Sequence, residues 1–233
     1  MNRLFLVRHG GSTGNEDPSF YAFNDSAICL TTNGIRQALA TAAVLTEVGP
    51  RWVKPGDFAL EVYASEYTRT QQTARIALDQ MGLLYLKPLI RPLLNERDYG
   101  TQYDQRMDQD PDFDANDSES AHRARSRVLG FMLEVESMLH RADILAFSHF
   151  GTLRALIANL LKLSDSEMMQ LDVPNGAAFL FQRSFDTAGG SVYTRQPLPD
   201  HVLPKTATPI TVPSVVQTLP KVVRSAANLR HRP

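Results

Sequence analysis

Short apolar runs alternate with longer stretches of helical period along the first two hundred residues of this chain. Leu4-Phe5-Leu6-Val7 is apolar at consecutive positions, which predicts a strand over 3–7 buried on both faces. Leu60–Ala64 and Ile144–Ser148 read the same way, and Ala178–Gln182 and Val192–Thr194, joined through Gly189-Gly190, predict two more strands. Between them, Ile35, Ala38, Leu39, Ala42, Val44 and Leu45 fall near helical spacing. They predict a helix over 31–48, capped by Thr31 or Thr32 and ended by Gly49-Pro50. Further helices are expected over 67–81, stopped by Gly82, over 120–140 and over 152–163. A short apolar stretch, Leu83–Leu86, leads into the proline-punctuated segment 87–100, and residues 101–119 are acidic and poorly periodic. Strands alternating with helices imply a mostly parallel sheet covered on both faces, a three-layer α/β/α sandwich. No internal repeat is present.

Composition narrows this picture in a few places. With 233 residues and 43% apolar content the chain can bury one large domain, expected over 1–196. Net charge is −1, so no global field draws nucleic acid or an acidic membrane surface. No apolar run approaches the roughly 20 residues of a membrane helix, and the run before Arg8 is too short for a secretory signal. The one cysteine, Cys29, suits a reducing compartment and reads as a packed residue rather than a nucleophile, so a cytoplasmic enzyme is expected. From 197 to 233 the composition shifts: residues 201–233 hold five Lys or Arg, five prolines and no acid. A solvated basic tail is expected there, with enough Val and Ile to dock on the domain or on a twin subunit in a homodimer.

Arg8-His9-Gly10 follows the first strand directly, and His149 follows the strand ending at Ser148; Arg69 comes five residues after the strand ending at Ala64. The carboxyl edge of such a sheet is where ligands bind. Taken alone, an Arg-His-Gly is an ordinary strand-to-loop turn. Two arginines and two histidines in such settings, however, suit convergence on one dianion, the shape of a phosphoryl-transfer site. Arg8 offers a planar fork for phosphoryl oxygens, and neutral His9 is a competent nucleophile. Asn15 has an amide to donate to the same oxygens, and the amides at the start of the helix after His149 could bind the anion. Neither a GxxxxGK[ST] loop nor a GxGxxG fingerprint is present. The histidines (9, 122, 140, 149, 201, 231) lack HExxH or CxxC company, so no metal and no cofactor are expected. His140 is expected at a helix C-terminus, and His122, beside the acidic segment, as an exposed helix-start residue.

Several blocks resemble one family in order. Val7-Arg8-His9-Gly10 with Ser12 and Asn15 is similar to the defining motif of the histidine phosphatase superfamily (phosphoglycerate mutase-like, branch 1). Leu30–Ala38, Ser65–Ala74, Leu94–Gly100, Glu119-Ser120 with Arg127, Ser148–Gly151 with Arg154, and Asn175-Gly176 resemble its further blocks, over residues 3 to about 195. The resemblance implies the phosphoglycerate mutase-like fold and a phosphohistidine formed on His9. Arg8, Arg69 and His149 would surround the phosphate, Asn15 would assist, and Glu96 would be the proton donor, with Asp98 as the alternative acid. Residues 97–122 would form a cap-like segment. Two positions depart from the pattern: Gly11 stands where Glu or Gln is common, and Phe150 where glycine is usual, which bears on the substrate rather than the chemistry.

Between Glu96 and His149 lie 52 residues, a modest span that is acidic through Asp104, Asp108, Asp110, Asp112, Asp114 and Asp117. The mutases of the resembled family carry a longer, more basic insertion there. The expectation is therefore hydrolysis of a small phosphate monoester, with cofactor-dependent mutase transfer as runner-up. A third reading, a non-catalytic protein that binds phosphorylated ligands, sits poorly with the presence of all four core residues.

Overall fold

The computed structural model describes residues 3–21, 25–49, 59–100, 105–113, 118–187 and 189–198. Most of the expected basic tail, 199–233, and parts of the acidic segment lie outside the described residues. The strands are β1 (Arg3–Arg8), β2 (Ala59–Ala64), β3 (Leu89–Ile90), β4 (Ala142–Ser148), β5 (Ala178–Phe185) and β6 (Ser191–Gln196). They form one sheet in the order β3-β2-β4-β1-β5-β6. β3, β2, β4 and β1 are parallel, while β5 and β6 add an antiparallel edge. The fold is the mixed α/β architecture expected, a six-stranded sheet flanked by helices.

The helices are α1 (Thr13–Glu16), α2 (Thr32–Val48), α3 (Thr68–Gln80), α4 (Ala121–Glu136), α5 (Phe150–Leu161) and α6 (Asp165–Met169). Alternation along the strands sorts the core into two layers. Leu4, Leu6, Ile144 and Ala146 face Val128 and Phe131 of α4 and Leu156 of α5. Phe5, Val7, Leu145 and Phe147 face Leu45 of α2 and Leu78 of α3. Continuous apolar runs in β1 and β4 therefore mark strands covered on both faces, as a parallel sheet requires.

Several element ends differ from expectation. α2 begins at Thr32 because the Thr31 hydroxyl accepts from Gly34 N at 3.1 Å. α4 stops at Glu136, not at 140: Met138 and Leu139 both donate to Val135 O, a tightened turn that lets the chain reverse into β4. His140 consequently lies in that turn rather than at a helix end. α5 starts at Phe150, directly behind His149, and ends with Lys162 in the left-handed conformation, φ 55°. The two-residue β3, the short α1 and α6, and several 3-10 turns were not expected from the pattern.

Candidate active site

The carboxyl ends of β1, β2 and β4 lie side by side, because Arg8 pairs with Ser148 and Ala64 with Phe147. The bonds continue one residue further, with His9 N donating to Ser148 O at 3.0 Å and Ser65 N to Phe147 O at 3.2 Å. Three strand ends thus deliver His9, Ser65 and His149 to one place. α3 begins immediately after Ser65-Glu66-Tyr67, so Arg69 lies in its first turn and points back over the same edge.

His9, Arg69 and His149 are essentially sealed, at 2%, 1% and 0% exposure. Arg69 Nε donates to His9 Nε2 at 3.3 Å. The His9 and His149 rings meet edge to face, with centroids 5.0 Å apart. Arg8 is half-buried beside them. Its Nη1 donates to Val173 O at 2.6 Å, while its Nε is buried without an acceptor among the described residues. Burial, with Arg69 and then Arg8 nearby, holds the His9 imidazole well below its ordinary pKa. Burial acts first on His149 too, followed by Arg69, His9 and Arg8, again strongly downward. Both rings are therefore neutral near physiological pH.

Each ring's tautomer follows from its partner. His9 Nδ1–H donates to Gly10 O at 2.7 Å, which leaves a lone pair on Nε2. The Thr70 hydroxyl donates to Tyr67 O at 2.6 Å, so Ser65 Oγ–H turns to Thr70 Oγ1, also at 2.6 Å. Ser65 Oγ is left to accept from His149 Nε2–H at 2.8 Å. His149 Nδ1 is then bare, and it is buried with no partner among the described residues. Ser65 opens the block Ser65–Ala74, which by itself gives it no role; its place at the end of β2 is what sets His149.

Glu96 joins the cluster from the loop after β3. Its Oε1 accepts from Arg97 N at 2.8 Å, Gly151 N at 3.0 Å and Thr152 N at 3.3 Å. The opening amides of α5, expected to meet the anion, instead hold this carboxyl group. Burial raises the Glu96 pKa above its ordinary value, against the lowering pull of those amides and of Arg69 and Arg8. Asn15 behaves differently from expectation. Its carbonyl accepts from Ser12 N and Ser12 Oγ, both at 3.0 Å, and from Asn175 Nδ2 at 3.1 Å, while its amide donates to Tyr21 Oη. Asn175 also donates to His9 O at 3.3 Å, so Asn15 reaches the centre through the loop it braces. Asp98 lies at the surface, accepting from Gly100 N.

The two departures from the family pattern have plain places. Gly11 N donates to Gln37 Oε1 at 2.7 Å. Phe150 has two cations against its ring, with Arg8 Cζ 5.0 Å and Arg154 Cζ 4.0 Å from the centroid. The cap-like segment approaches through Met107, fully buried, whose carbonyl accepts from Arg97 Nη1 at 2.6 Å. His122, as expected, is exposed at a helix start and outside the cluster. Its two ring nitrogens meet Asp112 at 2.6 Å and Asp165 at 2.7 Å, and these carboxylates raise its pKa. Among the described residues no His, Cys, Asp and Glu cluster could hold a metal ion, and no helix is long and apolar enough to cross a membrane.

Known proteins agree with this architecture. The family model of the histidine phosphatase superfamily (branch 1) matches residues 4–188. A 2,3-bisphosphoglycerate-dependent phosphoglycerate mutase of Azorhizobium caulinodans is 30% identical over 204 residues, covering 80% of this chain and 95% of its own length. Among solved structures, the α-ribazole phosphatase of Shigella flexneri superposes with a TM-score of 0.63 at 25% identity, covering 84% of this chain and 95% of that one. A mycobacterial glucosyl-3-phosphoglycerate phosphatase superposes with a TM-score of 0.66 at 19% identity, over 84% and 98%, and speaks for the fold alone. The chain, with its paired imidazoles and guanidiniums at the carboxyl edge of the sheet, belongs to branch 1 of the histidine phosphatase superfamily.

Proposed function

We propose that this enzyme hydrolyses small phosphate monoesters through a phosphohistidine on His9. One observation carries the reading: an unprotonated imidazole Nε2, its lone pair accepting from a buried guanidinium at 3.3 Å, lies beside a second imidazole. The His9 lone pair attacks phosphorus, and the ester P–O bond breaks as the N–P bond forms. Arg69 and Arg8 answer the charge on the equatorial oxygens, where phosphoryl transfer needs alignment and electrostatics most. An arriving dianion opposes the field that keeps His149 neutral, so bare Nδ1 takes up a proton and donates it to a phosphoryl oxygen.

Glu96 serves as the acid. Three N–H donors on Oε1 leave Oε2 to carry the proton to the leaving oxygen. In the second step the carboxylate accepts a proton from water, whose oxygen attacks the phosphohistidine and frees His9 and phosphate. Hydrolysis is favoured over transfer because two cations of the stretch between Glu96 and His149, Arg125 and Arg127, are engaged by the protein itself. Arg125 bonds Asp165, Leu163 O and Asn159, and Arg127 bonds both Glu119 oxygens. The single cysteine of the chain fits a reducing, cytoplasmic setting.

Mutase transfer is the second reading. It draws on the name of the 30% identical relative and on Arg97, whose Nη2 is buried without an acceptor among the described residues. Purified chain is to be incubated with a panel of phosphate monoesters, and with 3-phosphoglycerate plus 2,3-bisphosphoglycerate. Phosphate release that vanishes in His9→Ala, with label retained on the wild-type protein after an alkaline quench, is the expected outcome. Rapid isomerisation of phosphoglycerate without phosphate release would replace hydrolysis by the mutase reading, and no turnover with either would sink both.

A further inference from the structure

Arg69 is held by more than its own helix. Its Nη1 donates to Asp25 O at 2.7 Å and to Asp25 Oδ1 at 2.6 Å. The pairing crosses 44 positions of sequence, and Asp25 is partly exposed, at 32%, whereas Arg69 is buried. The flat guanidinium also lies over two rings, with its Cζ 4.8 Å from the Tyr67 centroid and 5.7 Å from that of Tyr21. A carboxylate at the tip and aromatic rings against it leave this fork little freedom to rotate. One edge, Nη1, is committed to Asp25. The other, Nε and Nη2, is the edge on which Nε already meets His9 Nε2.

We infer that Asp25 is a positioning residue that presents the Nε–Nη2 edge of Arg69 to the phosphoryl group and, by its charge, loosens the grip on product phosphate. The inference rests on the reading of His9 and Arg69 as the phosphoryl site. A guanidinium offers its edges in pairs, and a bidentate hold on a phosphoryl group needs two N–H groups in one plane. Fixing Nη1 elsewhere selects which pair that is. Asp25 also introduces a negative charge on the far side of the cation from the anion. Repulsion across the guanidinium weakens the anion's binding, which favours release once the phosphohistidine has been hydrolysed. Asp25 makes its bonds to Arg69 and acts through it.

Two variants separate orientation from charge. Asp25→Asn keeps an acceptor oxygen for Nη1 and removes the charge; Asp25→Ala removes both. Binding of inorganic phosphate to the resting full-length chain is read by calorimetry, and kcat and KM are read with the best monoester of the panel. Asp25→Asn is expected to bind inorganic phosphate about fivefold more tightly and to show a lower KM. Asp25→Ala is expected to lose about tenfold in kcat/KM, carried mainly by kcat and read well below its melt, because the reacting geometry loosens once the buried Arg69 guanidinium loses its partner. Wild-type phosphate affinity in Asp25→Asn, or wild-type kcat/KM in Asp25→Ala, overturns the inference. Arg69→Ala guards the underlying reading: if it leaves phosphate binding intact, the assignment of the phosphoryl site has failed rather than the role of Asp25.

Discussion

His9 and Glu96 are displaced from their ordinary titration in opposite directions, and the displacement matches the work each must do. His9 attacks only when neutral; burial and two guanidiniums lower its pKa, so the nucleophilic form persists into acid. Glu96 donates only when protonated; burial raises its pKa, so the acid form persists to higher pH than a solvated carboxyl allows. On the free enzyme, kcat/KM is therefore expected to fall at the acid end as His9 protonates and on the alkaline side as Glu96 ionises. Glu96→Gln tests the second limb. Its kcat is expected to drop about a hundredfold with KM little changed, and the decline with rising pH through the Glu96 range is expected to disappear. Profiles of kcat/KM against pH for both proteins decide it, and an unaltered kcat in the variant would exclude Glu96 as the acid.

At the scale of elements, the catalytic loop after β1 has its position set by α2, through glycines on both sides. A Cβ on Gly34 would come within 1.9 Å of Gly11 O, and one on Gly10 within 2.2 Å of Gly34 O. Both are backbone contacts, which cannot swing aside as a flexible side chain does. In an open helix Gly34→Ala would gain about 1 kcal/mol of helix propensity. Here it is expected to lose about 2 kcal/mol through overpacking and at least tenfold in kcat/KM, because the displaced loop carries His9. Thermal melts and initial rates of the one variant check both halves. The elements were unequally legible in the sequence. β1 and β4 stood out because both faces are buried, which writes a continuous apolar run. β3 did not: two residues among Pro88 and Pro92 carry no period. The over-long expectation for α4 came from apolar Met138 and Leu139 continuing the helical pattern past Glu136, where the turn into β4 overrides it. His9, His149, Arg8, Arg69 and Glu96 were visible through ordered motifs. Asp25 was not, because a loop aspartate gives no local sign that it meets an arginine 44 positions away.

For the whole molecule, the parallel part of the sheet divides labour between its two ends. Every residue of the phosphoryl cluster comes from the carboxyl ends of β1, β2 and β4 or from the segments that follow strands and cover them. The amino ends of β1 and β4 carry a different feature. Arg3, the first residue of β1, donates Nε and Nη2 to Asp143 Oδ2 at 3.0 and 2.7 Å, and its backbone N donates to Oδ1 at 2.8 Å. Its Nη1 reaches Val48 O at the end of α2, so one guanidinium ties two central strands and a helix together. Asp143 is 1% exposed, which sets the magnitude. Removing one member of a buried pair strands the other charge and costs about 3 kcal/mol, where an exposed pair would contribute almost nothing. The strand between this staple and His9 is six residues long, about 20 Å. Asp143→Ala is therefore expected to lower the melting temperature by about 10 °C while kcat/KM, measured well below the melt, stays within about twofold of wild type. A variant that melted late yet lost its activity would mean that the amino edge helps to shape the phosphoryl site, and the division between the two ends of the sheet would have to be abandoned.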